Sequence, residues 1–203
     1  MNVNFDIKNV MAFAFTVIFL NNIFFSGIFG GSSLLIISGG NTKKRYIGGF
    51  CLSITWIMTV STMLTYYTDK ILAVTGIADY LRIPVYAAVL GGIYILTLVI
   101  LSGIMSARFD NIKKYIHTAA FNSAVFGCML TAANTGNITN GIEVSLLTYL
   151  LYGILSGIGF SLAVVIHAAV SKLFHAEHMP ASFRGYPASL IFLGFMGMAF
   201  YAI

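Results

Sequence analysis

Charge is almost missing from this chain. Of 203 residues 8% are charged, eleven Lys and Arg against six Asp and Glu. Soluble domains average about 25%, so this chain cannot cover the surface of a water-soluble enzyme of its size. Disorder is excluded as well, because 59% of the residues are hydrophobic, 14% are aromatic and the mean hydropathy is +0.91; such a chain buries itself somewhere. No basic run exceeds three residues, which excludes a nucleic-acid patch. Cysteine is scarce: Cys51 and Cys128 stand 77 residues apart with no C-x-x-C, so neither a disulfide framework nor a zinc pattern is present. Paired carboxylates, a phosphate loop, a catalytic triad and a His/Glu zinc helix are all absent too. Nothing here does covalent chemistry by itself.

What is present is lipid-compatible length. The few charges cluster, and between them lie six uncharged stretches: residues 9–42, 46–68, 83–107, 115–142, 144–171 and 185–203. A spanning helix needs roughly 20 apolar residues, and all six stretches are long enough. Lys8 before an apolar run resembles a secretory signal, but the run is too long and ends in Gly-Gly-Ser-Ser rather than a cleavage site. The expectation is one integral membrane domain over residues 1–203, all-α and polytopic, with six transmembrane helices. Loops after the first, third and fifth helices would carry Lys43, Lys44, Arg45, Arg108, Lys113, Lys114, Lys172 and Arg184, eight of the eleven basic residues. Lys8, Lys70 and Arg82 fall on the other side, with Asp6, Asp69, Asp79 and Glu143. The positive-inside rule then makes the odd loops cytoplasmic, with both termini outside a cell inner membrane.

Two stretches do not read as simple rods. Thirty-four uncharged residues would make a helix of about 50 Å, against a hydrocarbon core of about 30 Å. Asn21, Asn22, Gly27 and the run Gly30-Gly31-Ser32-Ser33 are the candidates to interrupt it, since glycine and serine both weaken helices. The fourth stretch ends in a polar tail from Asn134 to Gly141 that reads as a loop, leaving residues 115–133 with Asn122-Ser123 near the middle and Gly127 beyond. Polar, glycine-interrupted segments in corresponding places point to a 3+3 inverted repeat with a midplane site, with half-repeats of about 1–110 and 111–203. Ser32 and Ser123 lie 91 residues apart, near half the chain. Small residues that let intact helices pack closely are the alternative.

Elsewhere Gly153 and Gly157, with Ser156 and Gly159, form a small-xxx-small helix face. Nine scattered methionines suit gap filling rather than a metal site. Cys128 lies about 500° of rotation and about 7.5 Å of rise beyond Ser123 on an ideal helix, hence on another face; buried free cysteines are the simplest reading of both thiols. His167, in Val164-Val-Ile-His-Ala-Ala169, is an intramembrane ionisable residue and so a candidate for a proton or ion path, although nearby Lys172 also suits an interfacial position. His117 lies close to an interface, and His175 and His178 belong to the last loop.

The C-terminal third is more specific. Tyr152-Gly-Ile-Leu-Ser-Gly-Ile-Gly-Phe-Ser-Leu-Ala-Val-Val165 leads to Met179-Pro-Ala-Ser-Phe-Arg-Gly185 and the apolar run Leu190 to Phe200. With Asn22 to Gly31, Lys43-Lys44 and Phe121-Asn-Ser-Ala-Val-Phe-Gly127 upstream, the chain resembles the RnfA/NqrE family over nearly its whole length. These are six-helix subunits of the ion-translocating Rnf complex and of the Na⁺-translocating NADH:quinone reductase. Pro180, Phe183, Arg184 and Gly185 match the family's turn before the last helix. The resemblance implies a membrane subunit of a complex coupling electron flow to Na⁺ or H⁺ translocation, packed against a homologous RnfE/NqrD-like subunit in the lipid bilayer. Ion-path and half-helix residues would be Asn21, Asn22, Gly30, Gly31, Asn122 and Gly127.

The resemblance also implies a [2Fe–2S] cluster, held by one cysteine near the midplane of each half and two from the paired subunit. Here Ser32 and Ser123 occupy both positions. A serine hydroxyl is a hard ligand with a far higher pKa than a thiol, so no conventional cluster ligand is expected from this chain. A redox-inactive relative, acting as a scaffold or a small ion or solute transporter, is the second reading.

Overall fold

A computed structural model describes residues 7–38, 44–75, 78–104, 109–133, 145–175 and 179–201. The polar tail expected as a loop at 134–141 lies outside them, as does His178. Among the described residues the chain is helical, without strands. In order these are α1 (Ile7–Phe15, continued by a π-helical turn Thr16–Leu20), α2 (Ile23–Gly27), α3 (Gly31–Ser38), α4 (Lys44–Thr75), α5 (Ala78–Ile104), α6 (Phe109–Ala120), α7 (Ser123–Ala132), α8 (Leu146–Val170, continued by a 3₁₀ turn Ser171–His175) and α9 (Tyr186–Tyr201).

Three of these helices are long and apolar enough to cross a membrane, over Arg45–Thr75, Tyr80–Ile104 and Leu146–His175. The remaining apolar stretches fold as shorter pieces, because polar caps divide two of them. The core is hydrophobic with polar groups set into it, and the exterior is apolar too. Asn22, Ser61, Thr62, Thr65, Asn122, Ser156 and His167 are buried, while Leu52, Trp56, Val74, Ile95 and Met198 are exposed. Water would not tolerate that surface; lipid does.

The centre of the fold is the antiparallel pair α4 and α8. Ser145 starts α8 with a capping box to Thr148, satisfying orphan amide groups that lipid could not. The buried face of α8 then recurs at Tyr149, Tyr152, Gly153, Ser156, Gly157, Phe160, Ala163, Val164 and His167, the three- and four-residue spacing of one helix face. A Cβ on Gly153 would meet the Thr62 hydroxyl, Thr59 Cα and Met58 O, and one on Gly157 would lie 2.7 Å from Thr55 Cα. Backbone therefore touches backbone here, as small-xxx-small faces allow.

Charge boundaries understate α4. Asp69 and Lys70, expected in a loop, continue the helix for about two more turns, to Thr75. Asp69 accepts hydrogen bonds from the hydroxyls of Tyr86 on α5 and, at 3.2 Å, Tyr149 on α8. Lys70 lies over the Tyr66 ring, 4.3 Å from its centroid. Two phenols thus satisfy the carboxylate where the helix leaves the core, and tie α4, α5 and α8 together. α5 is otherwise peripheral: 11% of its most apolar stretch is buried, against 50% for α8.

Candidate functional site

Both stretches expected to be interrupted are broken, and the same chemistry breaks each. Asn22 has extended backbone (φ −60°, ψ 125°) and caps α2 by accepting the Phe24 N–H at 2.9 Å. Its Nδ2 donates to Ile18 O at 2.7 Å, so one side chain serves the end of one helix and the start of the next. Asn122 repeats the arrangement (φ −89°, ψ 131°), accepting the Ala124 N–H at 3.0 Å to cap α7. An asparagine does this well because it is both donor and acceptor, and a broken helix within lipid must satisfy its freed backbone groups locally. α2 lasts a single turn. Ile28 ends it in the left-handed region (φ 54°) and Gly30 (φ 84°) turns the chain into α3.

The two breaks clasp each other. Gly30 N–H donates to Ser123 Oγ at 2.8 Å, and Asn122 Nδ2 donates to Ser33 Oγ at 2.9 Å. Gly30 is the closest approach: a Cβ there would lie 2.5 Å from the Phe160 ring of α8 and 2.9 Å from Ala124 Cβ. Only glycine supplies both the positive φ and the room. The ring of Phe29 lies across Gly127, within 2.7 Å of where a Cβ would stand. The N-termini of α3 and α7 meet at this seam, with Ser32 and Ser123 exposed in their first turns and Asn122 and Ser33 buried behind.

Of the residues expected from sequence, the structure brings together Gly30, Gly31, Ser32, Asn122, Ser123 and Gly127. Asn22 sits apart, against α8, where a Cβ on Gly159 would lie 2.8 Å from its Nδ2. Asn21 closes the π-helical turn by donating its N–H to Thr16 O at 2.6 Å. Sequence reasoning missed Ser33 as a partner and Phe29 altogether. One signal was available: Asn22 and Gly27 recur as Asn122 and Gly127, an offset of 100 residues.

The residues at the seam do not fit an iron–sulfur cluster. Ser32 and Ser123 offer hydroxyls where iron needs thiolates, and the Ser123 oxygen already accepts the Gly30 amide. The thiols lie elsewhere, with Cys51 half-buried on α4 and Cys128 buried on α7, on the opposite face from exposed Ser123. Among the described residues no group of three or more His, Cys, Asp or Glu is placed to hold a metal ion. What the seam can do is mechanical and polar. It offers hydroxyls, the Asn122 carboxamide and the N-termini of α3 and α7 along one line.

Other ionisable groups are placed as follows. His167 is fully buried, its Nε2 3.0 Å from Ser189 Oγ of α9. His117 is exposed on α6 and pairs with the Tyr94 hydroxyl at 3.1 Å. His175 is exposed at the end of the turn that follows α8.

Residues 10–203 match the family described as Rnf-Nqr subunit, membrane protein. A protein of Glaesserella parasuis serovar 5, named as the A component of an ion-translocating oxidoreductase complex, is 30% identical over 162 residues, 80% of each chain. Proteins of the same name from Actinobacillus pleuropneumoniae serotype 5b and Cronobacter sakazakii are 28% and 25% identical over the same share of each chain.

Proposed function

The chain belongs to the Rnf-Nqr family of membrane subunits, and on that premise we propose that it is a membrane subunit of a complex coupling electron transfer to Na⁺ or H⁺ translocation. Its contribution is the ion path, formed by the half-helices around Gly27–Ser33 and Asn122–Gly127. The observation that carries this reading is the pair of hydrogen bonds, Gly30 to Ser123 and Asn122 to Ser33, that closes two broken helices on each other. Helix ends inside an apolar protein are used to bind and pass ions. The chain is one domain of two half-repeats, about 1–110 and 111–203, crossing an inner membrane six times with both termini outside. An RnfE/NqrD-like subunit of inverse topology and the lipid bilayer cover its apolar exterior, in which α5 is prominent.

Electrons take another route. With serine at both cluster positions this chain holds no electron carrier of its own. Iron and acid-labile sulfide analysis with low-temperature EPR on the intact complex is expected to give the same spectrum and content for wild type and for Ser32→Ala/Ser123→Ala. A [2Fe–2S] signal abolished by that pair would reverse the assignment.

Function is tested in inverted membrane vesicles. Deleting the gene is expected to abolish ion uptake driven by the complex's electron donor, and the plasmid-borne chain to restore it. Uptake that survives deletion would remove the chain from the pump. Orientation is tested separately with a cysteine at position 43 in a variant lacking Cys51 and Cys128. A membrane-impermeant thiol reagent is expected to label it in inverted vesicles and not in intact cells; the opposite pattern would invert the topology.

A further inference from the structure

α6 is strongly two-sided. Ile116, Ala119 and Ala120 are buried, while Asp110, Lys113, Lys114 and His117 are exposed. Phe121, whose amide still bonds His117 O at 3.3 Å, is 65% exposed. At 3.6 residues per turn, Asp110, Lys113, Lys114, His117 and Phe121 fall within about 100° of arc. A charged face on a helix that enters lipid needs a partner of matching chemistry.

The chemistry of this face is graded along the helix. From Asp110 to Lys114 is about 6 Å of axial rise, against a headgroup layer of about 5–8 Å per leaflet. Going inward, a carboxylate comes first, then two ammonium groups, then an imidazole and then a benzyl ring. A phospholipid with an amine in its headgroup offers the complement in the same order: ammonium, phosphate, ester carbonyl, acyl chain. Lys113 Nζ lies over the Phe109 ring, 5.9 Å from its centroid. Among the described residues neither lysine is paired with a carboxylate, Asp110 included.

α5 supplies the other wall. The Tyr94 hydroxyl lies 3.1 Å from His117 Nδ1. With the phenol donating, the neutral imidazole carries its hydrogen on Nε2 and can give it to an oxygen acceptor. The rings of Tyr94, His117 and Phe121 stand 5.1 to 5.7 Å from one another. Further in, on Tyr94's own face of α5, come Gly91 and Ala87. A Cβ on Gly91 would meet nothing within 4 Å, and Ala87 is exposed. The groove between α5 and α6 therefore stays open where an acyl chain continues.

We propose that this groove holds one phospholipid of the phosphatidylethanolamine type. Its ammonium lies at Asp110, its phosphate at Lys113 and Lys114, an ester carbonyl at His117 Nε2, and a chain over Phe121 and past Gly91. The proposal requires α6 to enter the bilayer from its first turn, and it depends on neither the ion path nor the complex.

The probe is a phosphatidylethanolamine carrying a diazirine on its acyl chain close to the ester. It is added to nanodiscs holding the purified complex, or the full chain alone if no complex assembles, and adducts are mapped by mass spectrometry after irradiation. Adducts are expected to concentrate at Tyr94, His117, Phe121, Gly91 and Ala87, and to fall at least fivefold in Lys113→Gln/Lys114→Gln. In wild type, unlabelled phosphatidylethanolamine should displace the probe at a concentration at least threefold lower than phosphatidylglycerol, which has no ammonium for Asp110. Asp110→Asn should erase that preference and keep the adducts. Adducts spread evenly over α5 and α9 would overturn the proposal, as would groove adducts indifferent to both lysines. Stronger displacement by phosphatidylglycerol, or crosslinks from Lys113 and Lys114 to another protein, would overturn it as well. The wild-type competition stands alone if the lysine variant does not assemble. A reversed topology leaves the expected pattern unchanged, because the probe enters both leaflets; failure of the topology and failure of the site are thus read separately.

Discussion

Replacing Gly157 with valine is expected to leave almost no folded chain in the membrane. An added Cβ would stand 2.7 Å from Thr55 Cα and 2.8 Å from Thr55 Cγ2, so the obstacle includes backbone, which cannot rotate away. Relief requires α4 and α8 to separate. That would open the contact running from Tyr149 and Asp69 to Ser161 and Thr55, about 18 Å along the axis. Overpacking a tight core costs about 1–3 kcal/mol, and Gly157→Ala is placed in that range, with valine above it. Gly153→Leu meets Thr59 Cα at 2.8 Å and is expected to behave alike. Gly92→Val on α5 is the control, because a Cβ there meets nothing within 4 Å. The check is the yield of monodisperse protein in mild detergent and the midpoint of its heat-induced loss. Gly157→Val should fall by about 6 °C or more at 2–4 °C per kcal/mol, and Gly92→Val should not move.

The second large effect is expected at Asn122. Alanine there removes the cap on α7, worth about 0.5–2 kcal/mol. It also strands the Ser33 hydroxyl and the Ala124 amide in a buried site, each costing about 1–3 kcal/mol when left unmade. Part of these costs is shared, so a loss of about 2–4 kcal/mol is the expected sum. Asn122→Ser separates the contributions: serine still caps but cannot reach Ser33 as a carboxamide does, and it should recover about half of the loss. Gly30→Ala strikes the same seam from the other side, through strain at φ 84° and contact with Phe160 and Ala124. Thermal stability and electron-driven ion uptake should fall together in these variants, as the proposed ion path along this seam requires. Loss of stability without loss of uptake would make the clasp a brace only.

Much of this was legible in the sequence because lipid enforces a strict grammar. Charges mark where spans end, and an asparagine among apolar residues is conspicuous; hence Asn22, Gly30, Asn122 and Gly127 stood out before any coordinates. Pairing across the chain was not legible. Ser33 meets Asn122 at a separation of 89 residues and His167 meets Ser189 at 22, and neither contact leaves a local pattern. Phe29 reads as one more apolar residue until Gly127 is seen beneath it. Asp69 misled for a different reason. A carboxylate normally ends a span, yet two tyrosine hydroxyls from other helices satisfy this one and let α4 continue to Thr75. Serine at positions 32 and 123 was visible as a departure from the pattern that the resemblance implies. That the Ser123 oxygen had become half of a hydrogen-bonded clasp was not.

The central claim is that this chain works as one membrane subunit of a larger electron-driven ion pump. Affinity purification from the native membrane through a tag on this chain, followed by mass spectrometry of what co-purifies, tests it most directly. A second membrane protein of the same family should be recovered in fixed stoichiometry, together with subunits carrying flavin and iron–sulfur centres. A chain recovered alone, monodisperse and stable in mild detergent, would contradict the account.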